Sequence, residues 1–545
     1  MSLRTILLVL TGSVCACANH CPNTGFTLIC AQGGSGIAKI DTSASERKFL
    51  LIPFSAPSQE SDSALPYDLQ IDTTSKTAAV SSPRLTVSPP STLSEKIVAR
   101  IQAESRRRAV DQISIEKAVR SFRSDPAPFR RLLSPRAAST APRDVTTTIS
   151  IFSPFDGEEG TKLTGNLRVK SAHTAIYVDS RVDLTVADAD VKAMMQGFDN
   201  ITLPRLHVLF GAESDVDGNG VVNVFLAAPE KVGSNVIGFF RPTDLLPDGT
   251  VSGVRSNVME IVYVRTPGAG FDFSLAQATL AHEIFHLINF AQKSLPLFRA
   301  SVGTLAFTEA IFLNEGQAHL AEDLTGWGVG TPDLIKIYLK CIGLTSLAGG
   351  GTTTSDDATC RIAAAGSDSI PRRGAAMLLL LYMFQQLGGA TFSTTTVDDI
   401  QGDGIKFLKK LSSTTSIGLA NLEESSNRTF FFWYADFAGV LALDNTNGST
   451  DPRYHLVSPE LDPFTNFYRY IRLRSSRVVD GNTVTWEGPL PSHEITAGAD
   501  TKLSDSLFVT GLQATVLTVP ANLQAQITAS ANSHLALGLA IVPMP

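Results

Sequence analysis

Two histidines and a glutamate interrupt an otherwise apolar helical run, Ala281-His282-Glu283-Ile284-Phe285-His286-Leu287-Ile288-Asn289-Phe290. This H-E-x-x-H pattern constrains the chain more than any other feature. Residues four apart on an α-helix differ by about 40° around its axis, so both imidazoles reach one point. Leu275, Leu280, Phe285, Leu287, Ile288 and Phe290 require the helix to be buried. Buried imidazoles and a buried carboxylate with no partner cost several kcal/mol, and a metal ion supplies that partner. Neutral imidazole is a good zinc ligand. Glu283 follows the first histidine directly and can reach a metal-bound water without joining the metal, the position a general base needs.

A catalytic zinc takes three protein ligands and keeps one open position. The third candidate is Glu315, 29 positions after His286, in Phe312-Leu313-Asn314-Glu315-Gly316-Gln317-Ala318-His319-Leu320-Ala321-Glu322-Asp323. The gap allows a loop and an antiparallel second helix, which would turn the Glu315 carboxylate toward the two imidazoles. The expected metal set is His282, His286 and Glu315, with Glu283 as catalytic base.

Around this pair of helices the pattern reads as α+β. Strand-like runs at 145–152, 174–178, 206–210, 221–226 and 258–264 precede helices that dominate from Leu275 to about Leu443. The apolar run Met377–Phe384 is too short to span a bilayer and reads as buried helix. Residues 17–91 read as an N-terminal β module, 92–143 as a basic helical linker, 144–452 as the domain with the metal helices, and 453–545 as a C-terminal β-sandwich. Between Lys96 and Arg143 twelve Lys or Arg stand against four Asp or Glu, which reads as a solvated helix and connector.

The chain has 545 residues, 43% of them apolar and 18% charged, which is globular composition. Its net charge of −7 argues against nucleic acid as a partner. The start has the form of an export signal. Arg4 precedes the apolar run Ile6–Leu10, and Val14-Cys15-Ala16-Cys17 resembles a bacterial lipobox. That resemblance implies cleavage after residue 16 and lipidation of Cys17, which would tether the chain to a membrane. Export with a cut near Ala18 and no lipid is the alternative. With Cys15 removed and Cys17 acylated, the simplest pairing in an oxidising compartment is Cys21–Cys30 and Cys341–Cys360.

The segments H-E-I-F-H-L-I-N-F and L-N-E-G-Q-A-H-L-A-E-D resemble the hyicolysin family of bacterial zinc metallopeptidases, within the gluzincins. Weaker echoes are Phe210-Gly211, Asp215-Val216-Asp217-Gly218-Asn219-Gly220, Gly238-Phe239-Phe240, Ser256-Asn257, Met259-Glu260, Tyr263, and Trp433 with Asp436-Phe437-Ala438. The resemblance spans about 170–445. It implies a gluzincin-like fold, peptide-bond hydrolysis, a protein or peptide substrate, and the same three ligands and base. In thermolysin-like gluzincins an Asp one turn past the third ligand orients a zinc histidine. His319 stands there, and Glu322 is the nearest carboxylate that could do this work. His319 either lines the pocket or packs as an ordinary helix residue.

Arg372, Arg373 and Tyr382 are candidate donors to a developing oxyanion, or structural residues. The strand at 258–264 is expected to be the edge along which gluzincins pair with substrate backbone. Asp215, Asp217 and Asn219 have the alternating oxygen ligands of a calcium loop, yet Leu226 stands where that loop needs a bidentate Glu; a polar turn explains them equally. Arg106–Arg108 and Arg130–Arg131 mark either a permanent spacer or a pro-segment whose removal frees the enzyme from its anchor. The competing reading of the whole chain is a non-catalytic surface lipoprotein, an adhesin or scaffold, with a structural zinc site.

Overall fold

The computed structural model describes residues 27–32, 35–41, 47–56, 65–75, residue 117, and 145–543 apart from 183–185, 233–235, 267–271, 297–307, 349–359, 361–367, 448–449, 480–481, 490–492, 497–500, 508–510, 521–522 and 531–535. The export signal, Cys17, Cys21 and the basic helical linker at 92–143 apart from residue 117 lie outside these residues.

Four strands come from the N-terminal part of the chain: β1 (Thr27–Gln32), β2 (Ser35–Asp41), β3 (Arg47–Ala56) and β4 (Leu65–Ser75). They do not pair as a unit of their own. β3 lies between the strands Ala536–Pro543 and Thr515–Val519, and β4 lies between Leu523–Ser530 and Thr501–Leu507. The expected N-terminal module and C-terminal sandwich thus share two sheets, one of five strands and one of four. Both sheets feed one apolar cluster, with Leu51, Leu517 and Ile541 from one and Leu69, Ile71 and Ile527 from the other.

The apolar run in β3 has a direct cause. Phe49 and Leu51 face that cluster, while Leu50, Ile52, Phe54 and Ala56 face the helical core. Successive side chains point to opposite faces of a strand, so a strand buried on both faces must be apolar throughout. Phe54 meets the rings of Phe431 and Tyr434 across this contact.

The middle of the chain builds a six-stranded mixed sheet. Its strands are β5 (Thr148–Phe152), β6 (Lys162–Lys170), β7 (Thr174–Asp179), β8 (Val222–Ala227), β9 (Gly238–Phe240) and β10 (Ile261–Arg265), in the order β5-β6-β7-β8-β10-β9. β8 runs parallel to both neighbours, with Val224 opposite Ile176 and Val262. Its six residues are all buried, as expected for a parallel central strand.

Two sequence expectations are corrected here. Residues 206–210 form no strand; they belong to a helix. α1 (Asp188–Gly197) passes through a π-turn into α2 (Leu203–Phe210), which buries Leu203, Leu206, Leu209 and Phe210 at helical spacing. A short continuous apolar run fits either structure, and here the helical period wins. The sheet edge is also not the strand at 258–264. β10 is interior, and the three-residue β9 holds the edge by pairing antiparallel to it, Val262 opposite Phe240.

The helices that follow are α3 (Phe273–Asn289), α4 (Ile311–Leu324), α5 (Thr331–Lys340), α6 (Ile370–Gln386), α7 (Gly404–Ser413), α8 (Gly418–Ser426) and α9 (Phe430–Leu443). They pack with the sheet on one core that holds Ile176, Val224, Leu280, Leu313, Leu380 and Leu441. Met377–Phe384 is buried within α6, as expected. Among the described residues, no helix is long and apolar enough to cross a membrane.

Close contact between α4 and α6 depends on Gly316. A Cβ at that position would lie 2.6 Å from the Cβ of Ala376 and 3.1 Å from its carbonyl carbon. Glycine in mid-helix lowers helix propensity by about 1 kcal/mol relative to alanine; here it lets α6 approach the helix that carries Glu315. Hairpins from 460–486 cover the other end of α4. Asp323 accepts from the backbone N–H of Tyr470 at 2.8 Å and from Arg477 at 3.1 Å, and Arg205 pairs with Asp462 at 2.7 Å, all buried.

Candidate metal centre

α3 begins at Asp272, whose side chain accepts from the Leu275 N–H and so caps the first turn. From Ala276 to Asn289 every residue is buried, so His282, Glu283 and His286 sit in the protein interior. α4 returns beside α3 and brings Glu315, His319 and Glu322 to the same region, all buried. One donor atom each from His282, Glu315 and His319 lie within 4.8 Å of one another. His286 borders the same point: its Nε2 is 3.5 Å from Glu315 Oε1, and its ring centroid is 4.7 Å from that of His282. His282 Nε2 is 3.4 Å from Glu315 Oε2.

The set fits a metal such as zinc on this geometry. It offers imidazole nitrogens and one carboxylate, shielded from water. Moreover His319 Nε2 is buried and has no hydrogen-bond partner among the described residues. Groups buried in this way normally find a partner.

The outer contacts orient the rings. Glu322 Oε1 accepts from His282 Nδ1 at 2.7 Å and from His319 Nδ1 at 2.8 Å. Glu322 thus stands where the sequence reading sought an orienting carboxylate. Asn314 Oδ1 lies 3.1 Å from His286 Nδ1, a contact the sequence reading missed although Asn314 directly precedes Glu315. With each Nδ1 held by an oxygen, each Nε2 is the nitrogen that a metal would take, displacing any proton the ring carries there.

The charges are strongly coupled. Burial opposes a charged His282, yet hydrogen bonds to Glu315 and Glu322 and the nearby Glu283 charge outweigh it and push the ring up to about 9. Burial lowers His319, against the pull of the Glu322 carboxylate. Burial alone would raise Glu322, but His319 and His282 hold its carboxyl well below the usual carboxylate range, at about 2.

Glu283 stands apart from the metal set. Its Oε2 accepts the backbone N–H of Phe240 at 2.8 Å, which ties the carboxylate to β9 at the sheet edge. Gly238 permits this approach, because a Cβ there would lie 2.8 Å from Thr279 of α3.

Of Arg372, Arg373 and Tyr382, the structure brings Arg373 to the candidate metal residues. Arg373 Nη1 pairs with Glu315 Oε2 at 3.0 Å, and its Nε donates to Asp368 at 2.9 Å, so it braces the carboxylate from α6. Arg372 donates to the Ser346 carbonyl at 2.9 Å, and burial lowers it to about 10. Tyr382 lies nine residues beyond Arg373, about 13 Å along the helix, and packs against Trp433 and Phe437. No sequence signal announced Asp368.

The geometry does not support calcium at 215–219. Oxygens of Asp215, Asp217 and Glu260 do gather within 4.8 Å. However, Asn219 turns its amide N–H toward Asp217, Asp215 accepts from the Gly220 N–H, and Glu260 accepts from Ser214 and the Val216 N–H. These are the bonds of a polar turn leading into β8, and Leu226 is buried within that strand. Cys341 and Cys360 are joined in a disulfide, whereas Cys21 lies outside the described residues.

No protein-family model matches the chain. It is similar to the neutral metalloprotease ShpI of Staphylococcus hyicus, with 31% identity over 147 residues. The match covers 25% of this chain and 32% of that protein, so the chain spans about a third of the length of the relative it matches. The similarity is distant and partial, and it is to a metalloprotease.

Proposed function

We propose that this chain is a zinc-dependent endopeptidase, exported and lipid-anchored through Cys17, that hydrolyses peptide bonds with Glu283 as general base. The observation that carries this reading is the separation of Glu283 from the metal set. A structural zinc site needs ligands only, whereas here a buried carboxylate next to His282 is held by the Phe240 N–H. The similarity to a neutral metalloprotease supports peptides as the substrate class. The Cys341–Cys360 disulfide supports an extracellular or envelope location.

His282, His286 and Glu315 are the residues that would hold zinc, which when bound activates water near neutral pH and polarises the scissile carbonyl. Glu283 takes the proton of the attacking water and later delivers it to the leaving amine. The Phe240 N–H fixes one carboxylate oxygen and so orients the base. β9 lies at the end of the sheet and touches the base through Phe240, which makes it the strand along which substrate backbone would pair. Arg373 and Asp368 hold Glu315 in place. Digestion of casein with and without a chelator tests the reading: hydrolysis abolished by the chelator and restored by zinc is expected, and chelator-resistant hydrolysis would remove the metal from it.

A further inference from the structure

We propose that His319 is a further protein donor to the metal, and that the single oxygen Oε1 of Glu322 presents His282 and His319 to it together. This rests on the zinc-peptidase reading above and adds a residue to its coordination sphere.

Helix geometry places the candidate. His319 follows Glu315 by four residues on α4, so both side chains leave the same face, one turn apart. Glu322 is three residues further on that face. Its position lets one oxygen accept from His319 within the helix and from His282 across the helix pair. The two imidazoles therefore share one anchor. The ring centroids of His282 and His319 are 4.7 Å apart, the same separation as between His282 and His286.

The remaining nitrogen supplies the second argument. His319 is 3% exposed, and Nδ1 is engaged by Glu322. Nε2 is buried with no hydrogen-bond partner among the described residues. A histidine that merely packs in a core satisfies its second nitrogen with a hydroxyl, carbonyl or water. Here the nearby partner of matching chemistry is the ion that His282 and Glu315 would bind, since donor atoms of all three lie within 4.8 Å of one another. A three-ligand catalytic zinc keeps its fourth position for water.

Counting coordinated imidazoles tests this in the full chain loaded with Co(II). Each imidazole bound through Nε2 gives one exchangeable, paramagnetically shifted Nδ1–H resonance in the proton NMR spectrum. The wild-type chain is expected to show three, from His282, His286 and His319, and His319→Gln is expected to show two. Two resonances in the wild type, or a number unchanged by His319→Gln, would overturn the assignment. The wild-type count decides alone if the variant does not fold. A wild-type chain that takes up neither Co(II) nor zinc would instead overturn the metallopeptidase reading on which the assignment rests.

Discussion

The backbone N–H of Phe240 donates to Glu283 Oε2 at 2.8 Å, joining the edge strand of the sheet to the carboxylate beside the metal ligands. Glu283 is 3% exposed. The approach of β9 to α3 at Gly238 thus fixes one oxygen of this carboxylate to the sheet edge.

Arg373 extends the metal centre to a third helix. Its guanidinium lies between Glu315 and Asp368, all three buried. Arg373→Ala should leave Glu315 poorly oriented and weaken zinc binding by about 10–100-fold, the range typical for outer contacts of a metal ligand. Competition against a chromophoric chelator measures this. An unchanged affinity would show that Arg373 braces the fold and not the ligand.

Glu260 predicts a pH effect on stability. Burial, reinforced by the Asp217 charge, pushes its carboxyl up to about 7, although hydrogen bonds from Ser214 and Val216 pull the other way. The folded chain therefore binds this proton more tightly than the unfolded chain. Its contribution to stability is fully present below about pH 4 and is lost as pH rises through about 7. Glu260→Gln should flatten the fall in Tm between about pH 5 and pH 7.5. A variant whose Tm follows the wild-type profile throughout would contradict the assignment.

Mixed sheets change what processing would do. If Arg130–Arg131 marks a pro-segment and not a spacer, a cut there would free the enzyme from an anchored N-terminal piece only if the two parts do not pair. Yet β3 is hydrogen-bonded on both sides to strands from beyond residue 510, and its second face packs on the helical core. We therefore expect that a chain cut at an engineered protease site within 76–144 stays together. The two fragments should co-elute on size exclusion in native buffer and separate only in denaturant. Separation in native buffer would show that this pairing does not hold the ends.

The metal helices were the most legible part of the sequence. Periodicity in Leu280–Phe290 and the gap to Glu315 encode two buried helices that face each other, and Glu322 was the carboxylate nearest to His319, where the family resemblance looks for an Asp. What stayed hidden depends on long-range pairing. The apolar run Phe49–Ile52 fits a strand of an N-terminal β module, but nothing local says that its neighbours are Thr515–Val519 and Ala536–Pro543. The edge strand was misassigned because Gly238–Phe240 is only three residues long, too short for alternation to register. Arg373 was a candidate, but its partner Glu315 depends on how closely α6 can approach α4, which Gly316 decides through space.

The most direct test of the central claim is a paired measurement on Glu283→Gln: bound zinc per chain, and the rate of casein hydrolysis. Glutamine preserves the shape and the hydrogen bond from Phe240 but cannot take a proton from water. The account predicts zinc content equal to wild type and a rate lower by at least about 10²-fold, the lower end of what a general base contributes. Wild-type hydrolysis by the zinc-loaded variant would contradict it.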